Sequence, residues 1–96
     1  MEFLLIAYDG TDDTALNRRM EAREQHLAYA RKLYQEGTLI KGGAFINKEG
    51  QMIGSTIMYQ AESVEALQKI VDKDPYMTNG VWVDVKIKPI RLANLD

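Results

Sequence analysis

The chain's single histidine, His26, follows Arg23 by three residues in a stretch with helical spacing, and Asp74 stands far downstream in an Asp74-Pro75-Tyr76 run. Imidazole is the side chain whose unperturbed pKa, about 6.5, lies nearest neutrality, so it can take up and return a proton during a reaction. A carboxylate bonded to one ring nitrogen fixes the tautomer and leaves the other nitrogen for a substrate. If folding joins His26 to Asp74, the two make an acid–base dyad of catalytic type. Arg23, one turn before His26, could fork onto an anionic substrate group. Ser55 follows Gly54 inside an apolar run and could bond either a ligand or a neighbouring strand, and Tyr76 and Tyr8 could line the same pocket. Each residue also has a plainer role. His26 lies at the border of an apolar stripe, Asp74 can end a helix by accepting nearby backbone amides, and aromatic rings commonly pack in cores.

Several chemistries are excluded by what the chain lacks. With no cysteine there is no disulfide, thiolate zinc site or cysteine nucleophile. One histidine and scattered carboxylates offer no metal site. No phosphate loop or dinucleotide fingerprint is present, so no cofactor is expected. Ser55 lacks a nucleophile-elbow context, which argues against covalent catalysis. The net charge of −2, from 12 basic and 14 acidic side chains, supplies no field to gather nucleic acid or an anionic membrane. Arg18, Arg19, Arg23 and Arg31 alternate with Glu21 and Glu24, which reads as a salt-linked exposed helix face. The apolar run Phe3 to Tyr8 is too short for a signal core or a membrane span, and a cytoplasmic location is expected.

These candidates must be positioned by a single domain, residues 1–96, since a chain of this size is below the length at which domains divide. Residues 2–8 predict a strand apolar on both faces, ended by Asp9-Gly10. Residues 12–36 predict a helix, with Asp12, Asp13 and Thr14 offering N-cap oxygens, a stripe of Leu16, Met20, Leu27, Ala30 and Tyr34, and Gly37 as the stop. Residues 38–46 and 51–60 predict a hairpin turning at Asn47-Lys48-Glu49-Gly50. Gly42-Gly43 mark either a bulge or a close approach to the backbone. Residues 63–73 predict a second helix capped by Ser63. Residues 81–90 predict a last strand, with Val81, Val83, Val85 and Ile87 on one face and Trp82, Asp84, Lys86 and Lys88 on the other. The order β-α-β-β-α-β is that of an α+β, ferredoxin-like sandwich: a four-stranded antiparallel sheet with two helices on one face. The opposite face needs cover, and a homodimer packing sheet on sheet would supply it.

In this order and spacing, Arg23, His26-Leu27, Gly37, Gly42-Gly43, Gly50, Gly54-Ser55, Asp74-Pro75-Tyr76 and Gly80 resemble the YciI-like (YCII-related) family of the dimeric α/β-barrel group. The resemblance spans nearly the whole chain. It implies a ferredoxin-like subunit that pairs through its sheet, and a pocket where His26 and Asp74 meet. It implies small-molecule enzymes that use an acid–base pair, one branch acting as dehydrochlorinases by elimination. The chain departs from the family pattern in its longer segment before Arg23 and in Ala44, where many relatives carry proline.

Two functions are therefore expected to compete. One is a cofactor-free homodimeric enzyme for proton transfer, isomerisation or elimination on a small molecule. In it His26 moves the proton, Asp74 orients it, and Arg23, Ser55 and Tyr76 hold the substrate. The other is a non-catalytic ligand-binding or interaction module built on the same pocket.

Overall fold

In the computed structural model, which describes all 96 residues, the first apolar run forms strand β1 (Glu2–Asp9). It is followed by helix α1 (Ala15–Gln35), strands β2 (Leu39–Ile46) and β3 (Met52–Gln60), helix α2 (Val64–Asp72), a one-turn helix α3 (Pro75–Thr78) and strand β4 (Trp82–Ile90). The strands make one antiparallel sheet in the order β2-β3-β1-β4. The architecture is the expected ferredoxin-like α+β sandwich, with α3 as an addition. That turn exists because Asp74 caps it, its carboxylate accepting the Tyr76 amide at 2.9 Å. Pro75 at the first helical position loses no hydrogen bond by lacking an amide proton. Ser63 caps α2 by accepting from the Ala66 amide. Gly37, at φ 82°, ends α1 in the left-handed conformation that glycine alone adopts without cost.

The register shows how the sheet sets up a site. On the helix-covered face, β1 presents Phe3, Leu5, Ala7 and then Asp9. Their neighbours on β3 are Tyr59, Ile57 and Ser55. Apolar residues fill one end of this face, and polar ones gather at the other. Phe3, Leu5, Ile57 and Tyr59 join Leu33, Leu67 and Val71 from the helices in the core.

Strand β4 departs from simple alternation. Tyr8 pairs with Asp84 but Asp9 pairs with Trp82, so Val83 is an extra residue looped out of the ladder, 65% exposed. A bulge of this kind shifts every residue before it to the other face. Trp82, expected to face away from the core with Lys86, is instead buried on the helix-covered face with Val85 and Ile87. The expectation failed because strict period two holds only where pairing is uninterrupted.

Helix α1 also sits differently from expectation. It begins at Ala15 and not at residue 12, because the Asp12 carboxylate is held by Arg18 (2.7 and 2.8 Å) and Thr14 (2.9 Å) outside the helix. Hydrogen bonds from Arg18, then from Thr14, keep that exposed carboxyl well below the usual carboxylate range. The buried face runs through Ala15, Arg19, Ala22, His26 and Leu33, with Tyr29 packed beside it. The expected stripe is rotated by one residue from this, and its Met20 and Tyr34 are exposed. A heavier apolar stripe was passed over for one containing an arginine and a histidine, because both find partners beneath the helix.

The helix-free face is apolar at its centre and charged at its edges. Leu4, Ile6 and Met58 are half-buried on the inner strands, and Lys41, Lys86 and Lys88 are exposed on the outer ones. Tyr8 lies here, stacked on Phe45 at 5.2 Å, so it belongs to this face and not to the pocket as expected. Gly54 lies under that stack: a Cβ there would collide with the Ala7 carbonyl oxygen and crowd both rings. The Gly42-Gly43 pair is not a bulge. The register shifts nearby fall at Leu39/Lys41 and Phe45/Ile46, and both glycines line a cavity instead. No helix is long and apolar enough to cross a membrane.

Candidate active site

His26 is carried by the middle of α1 and Asp74 by the cap of α3, and folding brings them together. The Nδ1 of His26 lies 2.7 Å from Oδ1 of Asp74. Asp74 is 1% exposed and also accepts the Tyr76 amide, so its position is set from two directions. A carboxylate in its ionised form can only accept, and against that form Nδ1 is the donor. In the neutral ring Nε2 then holds the free lone pair, and it has no partner within the chain. The Tyr76 ring lies flat on the imidazole, 3.8 Å away at 8°, and the Trp82 ring meets it edge-on at 5.8 Å. The imidazole is therefore held by a hydrogen bond, a stacked ring and a lateral ring.

A cavity of about 300 Å³ opens beside this ring. Its wall includes His26, Arg23, Ser55 and Tyr76, together with Arg19, Leu27, Ile57 and the Gly42-Gly43 pair. Four of the five site residues expected from sequence share one wall, and the fifth, Asp74, sits behind His26. Arg23 is half-buried and forms no ion pair or hydrogen bond, which leaves its guanidinium free for a ligand. Burial pushes the Tyr76 phenol above its ordinary pKa, with Arg19 and Arg23 opposing the shift, so at neutral pH it is an uncharged donor. A larger hollow, about 440 Å³, lies along Asp9 to Asp13 and contains none of the expected residues.

Within the chain, the Ser55 hydroxyl bonds side chains and not an adjacent strand's backbone. Its Oγ accepts from Arg19 Nη2 at 2.9 Å and from Trp82 Nε1 at 3.0 Å. Arg19 in turn reaches both oxygens of Asp9, at 2.9 and 3.1 Å, and its guanidinium lies 4.6 Å from the centre of the Tyr76 ring. Burial pushes the Asp9 carboxyl up from its ordinary pKa, and the charge and hydrogen bonds of Arg19 oppose that rise. Asp9, Arg19 and Trp82 were missed as site residues. The alternation of charges along the helix predicts an exposed, salt-linked Arg19, yet it is 3% exposed, and neither Glu21 nor Glu24 forms an ion pair. Two signals pointed to it. The Ala15-Arg19-Ala22-His26-Tyr29-Leu33 spacing of threes and fours defines one helix face, and the β1 alternation carries Asp9 onto the column of Phe3, Leu5 and Ala7. No group of histidine, cysteine and carboxylate side chains is placed to hold a metal.

The YCII-related domain model matches residues 1–91. Protein YciI of Escherichia coli is 35% identical over 97 residues, covering 95% of this chain and 97% of that protein. Among solved structures, the 5-chloro-2-hydroxyhydroquinone dehydrochlorinase of Burkholderia phenoliruptrix, in complex with 2,5-dihydroxybenzoquinone, superposes with a TM-score of 0.83 at 23% identity, covering 97% of this chain and 96% of that one. A muconolactone isomerase superposes at 0.70 with 16% identity, over 100% and 94% of the two chains. A dimeric ferredoxin-like protein from Jannaschia superposes at 0.53 with 15% identity, over 95% and 98%. At these identities the structural likenesses speak for the fold, and the sequence matches speak for descent. The fold is that of the dimeric α/β-barrel proteins, and the chain belongs to the YCII-related family.

Proposed function

We propose that the chain is a cofactor-independent small-molecule enzyme in which His26 Nε2 takes a proton from a substrate held in the cavity and returns it to the same molecule or to water. Asp74 holds the ring tautomer and offsets the charge that develops on the imidazole. Arg23 and the Tyr76 hydroxyl engage polar oxygen on the substrate. The observation that carries this reading is the asymmetry of the histidine: Nδ1 is committed to a buried carboxylate, and the ring itself stands in a cavity wall. Arg23, which has no ion-pair partner in the chain, lines the same cavity. The reactions this fits are isomerisation by proton shift and elimination, in which removal of a proton expels a leaving group from the neighbouring carbon. The dehydrochlorinase and isomerase names of two structural neighbours accord with that class.

The test is exchange of carbon-bound hydrogen with heavy water. Hydroxylated quinones, phenols and unsaturated lactones would be offered to the protein in D2O and followed by NMR. At least one is expected to incorporate deuterium or rearrange with the wild type, and to do so about 10²–10⁴-fold more slowly with His26→Ala. Equal rates in the two proteins would sink the proposal. Tight binding without exchange would instead identify a ligand-binding module.

The reading includes a homodimer formed through the helix-free face. Leu4, Ile6 and Met58 leave an apolar centre there that a second copy would cover, in an isologous contact rimmed by Lys41, Lys86 and Lys88. Sedimentation equilibrium is expected to give twice the 10.9 kDa chain mass, and Met58→Glu to give the single mass. A wild-type protein that sediments as a compact monomer at micromolar concentration contradicts the covered face.

A further inference from the structure

Ser55 has a constraint that its neighbours impose. Both groups bonded to its Oγ, the Arg19 guanidinium and the Trp82 indole nitrogen, are donors that cannot accept. A hydroxyl oxygen has two lone pairs, and both are used. The serine's own proton must leave in the remaining direction, where it meets no acceptor in the chain. Ser55 is nevertheless 3% exposed and stands in the cavity wall. The two donors are themselves fixed: Arg19 by both oxygens of the buried Asp9, and Trp82 by the Val83 bulge that turns it inward. Rotation of the hydroxyl gains nothing, because every alternative orientation points its proton at another donor.

The rest of the wall agrees in sign. Its fully charged side chains, Arg19 and Arg23, are both cationic, and neither Asp9 nor Asp74 lines it. We infer that Ser55 is a one-way hydrogen-bond donor for a single oxygen anion of phenolate or enolate type, with Arg19 and Trp82 as the residues that position it. A carboxylate is better served by a forked donor pair such as Arg23, whereas one hydroxyl proton suits one charged oxygen. When a base removes a proton from carbon next to a carbonyl or phenol, the electron pair left behind comes to rest on that oxygen. Donors already aimed there stabilise it without reorganising. The assignment rests on the cavity being the substrate site, but not on His26 moving a proton.

The probe is 4-nitrophenol, whose anion and neutral form absorb at different wavelengths, with 4-nitroanisole as the partner that cannot ionise. The wild type is expected to bind the phenolate in preference to 4-nitroanisole and to shift the bound phenol toward its anion. Ser55→Ala is expected to weaken phenolate binding by roughly 10–100-fold, the range for one hydrogen bond to a charged group, and to leave 4-nitroanisole binding unchanged. Trp82→Phe keeps the serine hydroxyl but unlocks it, and should lose part of the preference; a merely structural tryptophan would weaken both probes alike. Asp74→Asn should retain the phenolate preference even if it stops proton transfer, which separates this inference from the proposed reaction. Should Ser55→Ala fold poorly, wild type and Trp82→Phe still decide the matter. A wild type that does not distinguish the two probes, or a folded Ser55→Ala that binds phenolate undiminished, overturns the assignment.

Discussion

Asp74→Asn is expected to lower turnover by about 10²–10⁴-fold while leaving the protein folded. The Asp74 carboxylate accepts from His26 Nδ1 and also from the Tyr76 amide. An asparagine oxygen can keep the amide bond and with it the cap of α3. In the proposed reaction, what it removes is the charge that holds the proton on Nδ1 and stabilises the imidazolium formed when Nε2 takes a second proton. If the amide turns its NH2 toward the ring, the tautomer reverses and Nε2 no longer offers a lone pair. Asp74→Ala should behave differently: it loses the cap as well, a change typically worth about 1 kcal/mol, and leaves Nδ1 buried without a partner. Measuring rate and thermal midpoint for both variants distinguishes the roles. A purely structural Asp74 predicts that Asp74→Asn shifts the midpoint and leaves the rate alone; an orienting Asp74 predicts the reverse.

Arg19→Met is expected to cost roughly 3–5 kcal/mol of folding stability, the range for removing one partner from a buried ion pair. Arg19 and Asp9 have side chains only 3% and 4% exposed. Without the guanidinium, Asp9 would remain in the interior as an uncompensated charge, and Ser55 would lose one of its two donors. For a domain near 100 residues, 1 kcal/mol moves the midpoint by about 4–8 °C, so the loss should be plain in a melting curve. The double variant Arg19→Met with Asp9→Leu should recover most of it, because two apolar side chains of suitable size need no partner. If the single and double variants melt together, the pair is not coupled. The pH response has a definite sign. The folded-state pKa of Asp9 is raised above its ordinary 3.8. A raised carboxyl binds its proton more tightly in the folded state, so this group's contribution improves as pH falls through the folded pKa and worsens as pH rises through it. Arg19→Met removes the influence that holds the rise in check. Its stability deficit should therefore narrow on mild acidification, and a deficit independent of pH would mean that Asp9 is not the charge left behind.

The two predictions test different halves of one device. Ala22 separates Arg19 from His26 on the buried face of α1. Both side chains are seated on carboxylates, one from the end of β1 and one from the cap of α3. Tyr76 connects them, lying flat on the imidazole and beneath the guanidinium. Disturbing Arg19 should therefore loosen the surface against which His26 rests, and part of any rate loss in Arg19→Met is expected to pass through Tyr76.

Local chemistry alone sufficed for much of the fold. Gly37, Ser63, Gly50 and Pro75 mark element ends through their own backbone and side-chain preferences, and the alternation in β1 needs no neighbour to be recognised. The residue types able to move a proton or grip an anion were equally legible, because His26, Arg23, Ser55, Asp74 and Tyr76 carry that chemistry wherever they stand. What tertiary structure decided was facing and partnership. Helix α1 could have turned either of two stripes inward, and the balance was tipped by Asp9 and Asp74, which satisfy Arg19 and His26 beneath it but are remote in sequence. Trp82 reached the site only through a one-residue bulge, which depends on how β4 pairs with β1 and leaves no mark in a period-two pattern. A buried charge is tolerable only when its partner is already in place, and the identity of that partner is a property of the assembled fold.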